Sequence, residues 1–398
     1  MKAAIEDKLG PAPSLPDPSP GTDHPIARSS AEAAMRRIFA LADIEVNGTR
    51  PWDIRVHNND FYQRVLFHGS LGLGESYLEG WWDAEQLDEF FCRVTRADLA
   101  TQVRSDWKTA LGVLGKILLN PQRRSKAFEI GRRHYDFGND LFQTMLDRRM
   151  VYTCAYWKNA QTLDAAQEAK LDLVCRKLGL QPGETVLDIG CGWGSFLIYA
   201  AEKYGVAGVG ITVSREQVKL ARELCAGWPI RIELADYRDI EGMYDHVVSL
   251  GMLEHVGSKN YRTLMGVVAR HLKDDGLFLL DSIGVERSAR GTDPWLEKYI
   301  FPNSVIPSVR QIGTAIEGLF VLEDWHNFGA DYDRTLMAWF RNFDGHWTGL
   351  QSRYGETFYR MWKYYLLACA GSFRARKNQS WQLVLSKKGV AGGYVSAR

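Results

Sequence analysis

Residues 184–285 alternate short apolar runs with segments of helical periodicity, and this alternation limits the possible folds more than any other feature of the chain. The predicted strands are ETVLDIGCG, AGVGITV, IRIELAD, YDHVVSLGML and GLFLLDSIG, and the predicted helices are WGSFLIYAAEKYG, SREQVKLARELCAG and NYRTLMGVVARHL. The pattern is typical of an α/β fold with a doubly wound, mostly parallel sheet. Ligands of such sheets bind beyond the carboxyl ends of the strands, where we expect Glu254 and Asp281.

The chain has 398 residues, more than one ordinary hydrophobic core accommodates, so we predict several segments. Residues 1–30 are rich in proline and are predicted to be a disordered tail. Residues 31–120 are predicted to form a small, mainly helical N-terminal domain for docking or oligomerisation, and the glycines of its HGSLGLGE motif to mark tight turns. Residues 121–398 are predicted to form the catalytic domain, which binds a cofactor.

Lysine and arginine number 49 against 48 aspartates and glutamates, so the chain as a whole has no charge that attracts nucleic acid. The basic stretch from Lys116 to His134 is either a solvated linker or a contact with an anionic membrane. The sequence shows neither a signal peptide nor an apolar run of about 18 residues. We therefore expect a cytoplasmic protein that binds reversibly to the inner face of the membrane. Six cysteines without ligand spacing predict neither disulfides nor a metal site.

The motif VLDIGCGWGSF places three glycines directly between a strand and a helix, where the backbone can approach a ligand closely. It is not the dinucleotide fingerprint G-x-G-x-x-G, because Ser195 stands where the last glycine belongs. With Asp188 ahead of the loop, the motif resembles motif I of Rossmann-like S-adenosylmethionine methyltransferases. Further on, Ser214 and Gln217 fit a capping box that opens the next helix, and a role of Gln217 at the cofactor is compatible with this.

The stretch SLGMLEHVGSKN places a carboxylate beside an imidazole. Adjacent side chains point to opposite faces of a strand, or about 100° apart on a helix, so Glu254 and His255 are not expected to address the same atom. One of the two is therefore expected to face the chemistry, and geometry alone does not show which.

Longer motifs in the same order narrow the interpretation. They are HYDFGNDLFQTMLDRRMVYTCAYW, GMLEHVG, DPWLEKYIFPNSVIPSVRQI, DWHNFGADYDRTLMAWF and CAGSFRAR, together with the glycine loop and SLGLGESYLEGWW. From about residue 35 to its C-terminus the chain resembles the bacterial cyclopropane-fatty-acyl-phospholipid synthases. The resemblance implies that a methyl group of S-adenosylmethionine is added to a cis double bond of a phospholipid acyl chain. A bicarbonate ion then removes a proton and the ring closes. It also implies a homodimer.

Matching the family motifs residue by residue assigns two sets of site residues. The bicarbonate and catalytic set is Cys154, Glu254, Asp281, Ile283 and Tyr332. The set at S-adenosylmethionine is Tyr135, Gly138, Tyr152, Thr153, Asp188, Gly190, Gly192, Thr212, Gln217, Asp236 and Tyr237. The resemblance implies that Tyr332 donates a hydrogen bond to bicarbonate and that Glu254 orients this anion. It also implies that Glu254 faces the reaction, and we expect His255 to pack away from it as a structural group.

The chain departs from the family at one of these positions, because the usual LHTIG reads LDSIG and Asp281 replaces a histidine. Two carboxylates about 4 Å apart repel each other by roughly 4 kcal/mol at an effective dielectric of 20. Three hypotheses follow: Asp281 and Glu254 share a proton, Asp281 replaces bicarbonate as the base, or proton loss changes and the product is a methylated or methylene acyl chain. A binding module without catalysis is a fourth interpretation.

Overall fold

The computed structural model describes residues 28–99, 137–289 and 291–398. Contacts divide the chain into two compact units. The described parts of the first unit are residues 28–99, Asp293–Pro302 and Leu336–Lys377, and those of the second are residues 137–289 and 291–292, Asn303–Thr335 and Asn378–Arg398. Each unit is therefore assembled from several stretches of sequence. The predicted boundary at residue 120 lies outside the described residues and stays a prediction.

The helices and strands follow in chain order. They are α1 (Arg28–Ala40), β1 (Arg55–Val56), α2 (Asp60–Leu78), β2 (Trp82–Asp83), α3 (Leu87–Arg96), α4 (Asn139–Met145), α5 (Leu163–Leu178), β3 (Thr185–Ile189), α6 (Ser195–Tyr204), β4 (Ala207–Thr212), α7 (Arg215–Leu224), β5 (Ile230–Leu234), β6 (Tyr244–Leu250), α8 (Leu253–Val256), α9 (Tyr261–His271), β7 (Leu272–Val285), α10 (Pro294–Tyr299), α11 (Val309–Ile316), β8 (Val321–Asn327), α12 (Ala330–Gly345), α13 (Trp347–Arg374) and β9 (Asn378–Ser386). Short 3-10 helices cover Tyr237–Asp239 and Ser258–Asn260.

The first unit is mainly helical and has an aromatic core that includes the fully buried Trp82 and Trp295. Of the three glycines predicted to mark turns, only Gly69 bends the chain, with a φ of 56° at a kink inside α2. The other two, Gly72 and Gly74, lie within this helix, which corrects the prediction. A Cβ at Gly74 would lie 2.2 Å from the Trp295 ring, so glycine is needed there for packing.

The second unit is built on a seven-stranded sheet in the order β5-β4-β3-β6-β7-β9-β8. All neighbouring pairs are parallel except those of β9, which runs antiparallel to both β7 and β8. The predicted α/β class with a mostly parallel sheet is confirmed. Alternating side chains feed two cores: Leu187 and Phe278 join one cluster and Val186 and Leu279 the other, as the period of two in a strand requires.

The register of β7 places Asp281 opposite Leu250, the last residue of β6, and opposite Gln382 of β9. The prediction that Asp281 ends its own strand is wrong, because β7 continues to Val285. The antiparallel partner β9 supplies hydrogen bonds along this extension. Asp281 therefore lies between two strands, fully inside the sheet.

Among the helices of the described ranges, none combines the length and the apolar character that a bilayer span requires.

Candidate functional site

A cavity opens at the carboxyl ends of β3, β4 and β6. Nine of the predicted cofactor residues line it: Tyr152, Thr153, Asp188, Gly190, Gly192, Thr212, Gln217, Asp236 and Tyr237. Gly138 immediately precedes α4 and is not part of the lining. Tyr135 lies outside the described residues. The structure thus gathers residues from widely separated motifs around one space.

Asp188 presents a buried acceptor to this cavity. The residue is 2% exposed, and its Oδ1 meets no hydrogen-bond partner in the part of the chain that the structure describes. Burial raises the pKa of its carboxyl to about 7, against the opposing attraction of Lys170. A buried oxygen without a partner is costly, so a ligand with a donor group is the fitting occupant of this end of the cavity.

The glycine loop wraps one wall of the cavity in backbone conformations that disfavour side chains. Gly190 has a φ of 88°, and a Cβ there would lie 2.9 Å from Met252. Gly192 has a φ of 56°, and a Cβ there would meet no protein atom within 4 Å. Gly190 is therefore constrained by its backbone conformation and by its contact with Met252, whereas Gly192 is constrained by its backbone conformation alone.

We expect Gly190→Ala to destabilise the protein by about 2–3 kcal/mol and Gly192→Ala by about 1 kcal/mol, since only the first adds a clash to a strained backbone. Urea unfolding of both variants, followed by tryptophan fluorescence, measures the difference. Equal losses of stability would contradict this account of the loop.

Ser214 and Gln217 form only one of the two hydrogen bonds of the predicted capping box. Ser214 does cap α7, because its Oγ accepts from the Gln217 N–H at 3.3 Å. The Gln217 side chain does not reach back to Ser214, since its Oε1 accepts a hydrogen bond from Thr212 Oγ1 at 2.8 Å. The predicted box is therefore half formed, and the Gln217 and Thr212 side chains support each other at the cavity wall.

Glu254 and His255 point to different places from the short helix α8. Glu254 is 6% exposed and its Oε1 accepts the backbone N–H of Ile283. His255 lines the cavity, which corrects the expectation that it packs away from the site. Burial lowers the pKa of His255 to about 4, so it is neutral at physiological pH. The two side chains point in different directions, as helix geometry predicts. His255 borders the cavity, and Glu254 contacts Ile283 of the predicted catalytic set.

The predicted catalytic residues lie together. Cys154 packs in a small apolar cluster to which Tyr332 also belongs. Burial is the main cause of the raised pKa of Tyr332, and charges on Glu254 and Asp281 raise this pKa further. Ile283 contributes its backbone N–H to Glu254. The structure thus brings all five residues to one region, between β7 and the segment around Cys154.

Glu254 and Asp281 carry different hydrogen-bond sets. Burial raises the pKa of Glu254 to about 7 and the Asp281 charge adds to this, while its Oε2 finds no partner among the described residues. Asp281 Oδ2 accepts from Gln382 Nε2 at 3.0 Å. Burial raises the pKa of Asp281 too, but Lys170, Gln382 and Lys177 each oppose this increase. Of the two carboxyl groups, Asp281 is therefore the one whose ionised form is stabilised by nearby lysines.

Sequence reasoning missed Lys170, Gln382 and Gln167. Lys170 lies on α5, lines the cavity and is completely buried. Gln382 holds Asp281, and Gln167 Nε2 donates to the carbonyls of Val151 and Thr153 at 3.3 and 2.9 Å. One signal was available: Gln167 and Lys170 occupy the apolar stripe of the helix, where a polar residue needs a partner. Gln382 carried no signal, because its partner is set by strand register.

The cavity fits S-adenosylmethionine. The Asp188 Oδ1 acceptor and the open glycine loop suit a ligand that carries an ammonium group and hydroxyl groups. Nearby, Glu254 Oε2 and Gln382 Oε1 are buried acceptors that no described residue satisfies. Buried acceptors of this kind suit a small group that carries a donor hydrogen.

Comparison with known proteins gives a consistent result. Residues 122–383 match the family model described as mycolic acid cyclopropane synthetase. The chain is 53% identical over 361 residues to the cyclopropane-fatty-acyl-phospholipid synthase of Escherichia coli K12, covering 91% of this chain and 94% of that protein. It is 33% identical over 320 residues to sphingolipid C9-methyltransferase A of Emericella nidulans, covering 72% of this chain and 61% of that protein. The crystal structure of a mycolic acid cyclopropane synthase complexed with SAH and CTAB superposes with a TM-score of 0.61 at 31% identity, over 65% of this chain and 98% of that one.

Proposed function

Since the chain belongs to the mycolic acid cyclopropane synthetase family of S-adenosylmethionine-dependent methyltransferases, we propose that it builds cyclopropane rings on phospholipid acyl chains. The substrate is the cis double bond of an unsaturated chain, and the one-carbon unit comes from S-adenosylmethionine. The similarity to the synthase of Escherichia coli, which extends over 91% of this chain, supports this substrate class.

The observation that carries the proposal is the position of Glu254. Its carboxyl group is buried and fixed by the Ile283 N–H, beside Asp281 and the Cys154 and Tyr332 cluster. The neighbouring residue His255 lines the cofactor cavity. Acid and base groups thus lie next to the place where the methyl donor binds, as proton removal after methyl transfer requires.

S-adenosylmethionine, when bound, supplies an electrophilic methyl group. The apolar cluster of Cys154, Leu173 and Phe328, against which Tyr332 packs, excludes water beside the catalytic residues and protects a carbocation on the acyl chain from attack by water. Negative charge on Asp281 stabilises positive charge that develops on the acyl chain. Burial raises the pKa of Cys154 well above its usual value, so this residue stays a neutral thiol. Glu254 holds or orients the base that takes the proton.

Bicarbonate is part of the proposal. Glu254 Oε2 and Gln382 Oε1 would accept its hydroxyl hydrogen, and Tyr332 would donate to its oxygens. The chemistry that it supplies is a small, mobile base. The three hypotheses on Asp281 stand beside each other here: a proton shared with Glu254, direct replacement of bicarbonate as base, or an altered course of proton loss.

A second candidate, a methyl-branched or methylene product, is favoured by one observation. Asp281 occupies the position at which the family motif has histidine, and the relative from Emericella nidulans is named a methyltransferase. If Asp281 changes which proton is lost, the ring does not close and an alkene remains. A module that binds without catalysis is the third alternative.

The deciding experiment is incubation of the purified protein with S-adenosylmethionine and vesicles of unsaturated phospholipid, followed by mass analysis of the acyl chains. We expect a gain of CH2 in a product that resists hydrogenation, which marks a ring. A product that takes up hydrogen would favour the methylene alternative. Binding of S-adenosylmethionine without release of S-adenosylhomocysteine would favour the binding module.

We expect Asp281→His to change the dependence of turnover on bicarbonate by severalfold, because a possible cation replaces an anion beside the anion site. Asp275→His, an exposed aspartate of the same strand, is the matched control and should change nothing. Turnover is measured over a series of bicarbonate concentrations. An Asp281→His enzyme with neither higher activity nor altered bicarbonate dependence would count against all three hypotheses.

The enzyme would act at the membrane surface as a peripheral, reversibly bound protein, and as a homodimer. The family resemblance supports both statements. The basic stretch from Lys116 to His134, our candidate for the membrane contact, lies outside the described residues and stays a prediction.

A further inference from the structure

Lys170 is a completely buried lysine that neither the sequence motifs nor the proposed reaction explains. It lies on α5, between the apolar residues that pack this helix against the sheet, and its side chain lines the cofactor cavity. Burying an ammonium group costs several kcal/mol unless acceptors and opposite charges surround it. The ammonium group of Lys170 therefore needs compensating partners, and there are two reasons for its burial here.

One part of the reason is a hydrogen bond with a fixed direction. Lys170 Nζ lies 2.8 Å from Thr153 Oγ1. An ammonium group can only donate, so Thr153 Oγ1 is the acceptor and its own hydroxyl hydrogen must point elsewhere. Thr153 also lines the cavity, and its backbone carbonyl is already held by Gln167 at 2.9 Å. The hydroxyl hydrogen of Thr153 is thereby left available to a ligand in the cavity.

The other part is charge. Three carboxyl groups on different elements interact with Lys170: Asp281 on β7, Asp147 after α4 and Asp188 on β3. Burial lowers the pKa of Lys170, and all three groups oppose this decrease. Lys170 thus supplies positive charge both to Asp188, the acid of the cofactor cavity, and to Asp281, the acid that replaces the family histidine.

Asp281 in turn faces a defined set of groups. Lys170 and Lys177 of α5 attract it, Gln382 of β9 donates to it, and Glu254 of α8 and Cys154 repel it when charged. Both cations and the Gln382 hydrogen bond therefore favour the ionised form of Asp281.

We propose that Lys170 is a positioning residue that couples the cofactor cavity to the carboxylate pair. Its ammonium group orients the Thr153 hydroxyl toward the cofactor and supplies the positive charge that offsets Asp281. The inference rests on the proposed function only in the role of the carboxylates; its part at the cofactor holds for any methyl acceptor.

The first test measures affinity for S-adenosylhomocysteine by titration calorimetry, without lipid. Lys170→Met should weaken binding tenfold to a hundredfold, because the Thr153 hydroxyl loses its orientation, and Lys170→Arg should weaken it less. Arg176→Met is the matched control, an exposed cation of the same helix that does not line the cavity, and should leave the affinity unchanged. Unchanged affinity in Lys170→Met would overturn the proposal.

The second test leaves Lys170 in place and so does not depend on the folding of its variants. Binding of S-adenosylhomocysteine should weaken at alkaline pH as Lys170 loses its proton. Asp281→Asn removes an anion near Lys170, which lowers the pKa of this lysine, so the weakening should begin at lower pH than in the wild type. If binding weakens at the same alkaline pH in Asp281→Asn and in the wild type, the proposed coupling is overturned. Neither test requires that the lipid product is a ring.

Discussion

Glu254→Gln is expected to lower turnover at least 100-fold while the affinity for S-adenosylhomocysteine stays within twofold. The amide keeps the hydrogen bond from the Ile283 N–H and nearly the same shape, so the change removes only the ability to exchange a proton. Glu254 does not line the cofactor cavity, which is why cofactor binding should not suffer. Turnover is measured as release of S-adenosylhomocysteine with vesicles of unsaturated phospholipid.

Glu241→Gln, an exposed glutamate, is the control for the loss of a glutamate as such and should retain full activity. A Glu254→Gln enzyme with more than a tenth of wild-type turnover would show that Glu254 has no acid or base role. A parallel loss of cofactor affinity would instead indicate a damaged cavity.

Asp188→Asn is expected to weaken cofactor binding at least tenfold and, in the ligand-free protein, to increase stability at pH 8. Burial raises the pKa of Asp188 to about 7, above its ordinary value of 3.8. A carboxyl group with a raised pKa in the folded state contributes stability below its unfolded pKa, and this contribution is lost as the pH rises through about 7. The wild type should therefore lose stability between about pH 4 and 7, and the variant should lose less.

Urea unfolding at a series of pH values measures this effect. Asp245→Asn is the opposite case, because burial is outweighed there by Lys273 and Thr185, and the pKa of Asp245 is lowered to about 2. Its stabilising contribution is present at neutral pH, so this variant should be less stable than the wild type at pH 7. A gain of stability in Asp245→Asn, or none in Asp188→Asn at pH 8, would contradict the assigned electrostatics.

The family and the class of fold were open to prediction from local patterns. Alternating apolar runs give strands and helices whatever their distant partners are, and the glycine loop after β3 is recognisable because its positive φ angles favour glycine. Several long motifs in order identified the family, and the family match confirms this. The assigned site residues themselves stay predictions, although the cavity gathers nine of those at the cofactor.

Local patterns could not show where a side chain points or what it meets. His255 was predicted to point away from the site, although it lines the cavity. The sequence of a one-turn helix does not show which of its faces is turned toward the site. Asp281 was placed at a strand end, although β9 extends the pairing of β7 beyond it. Both errors concern relations between elements, which a window of sequence does not contain.

By itself, then, the sequence determined the parallel sheet, the cofactor loop and the family, because these depend on residue type and spacing within one segment. Only the tertiary structure decided that Gln382 supports Asp281, and that Lys170 lines the cofactor cavity beside Thr153. Residues 281 and 382 are joined by strand register, and residues 153 and 170 by the packing of a helix against a loop. Such pairings depend on long-range packing, and they set the charge balance of the site.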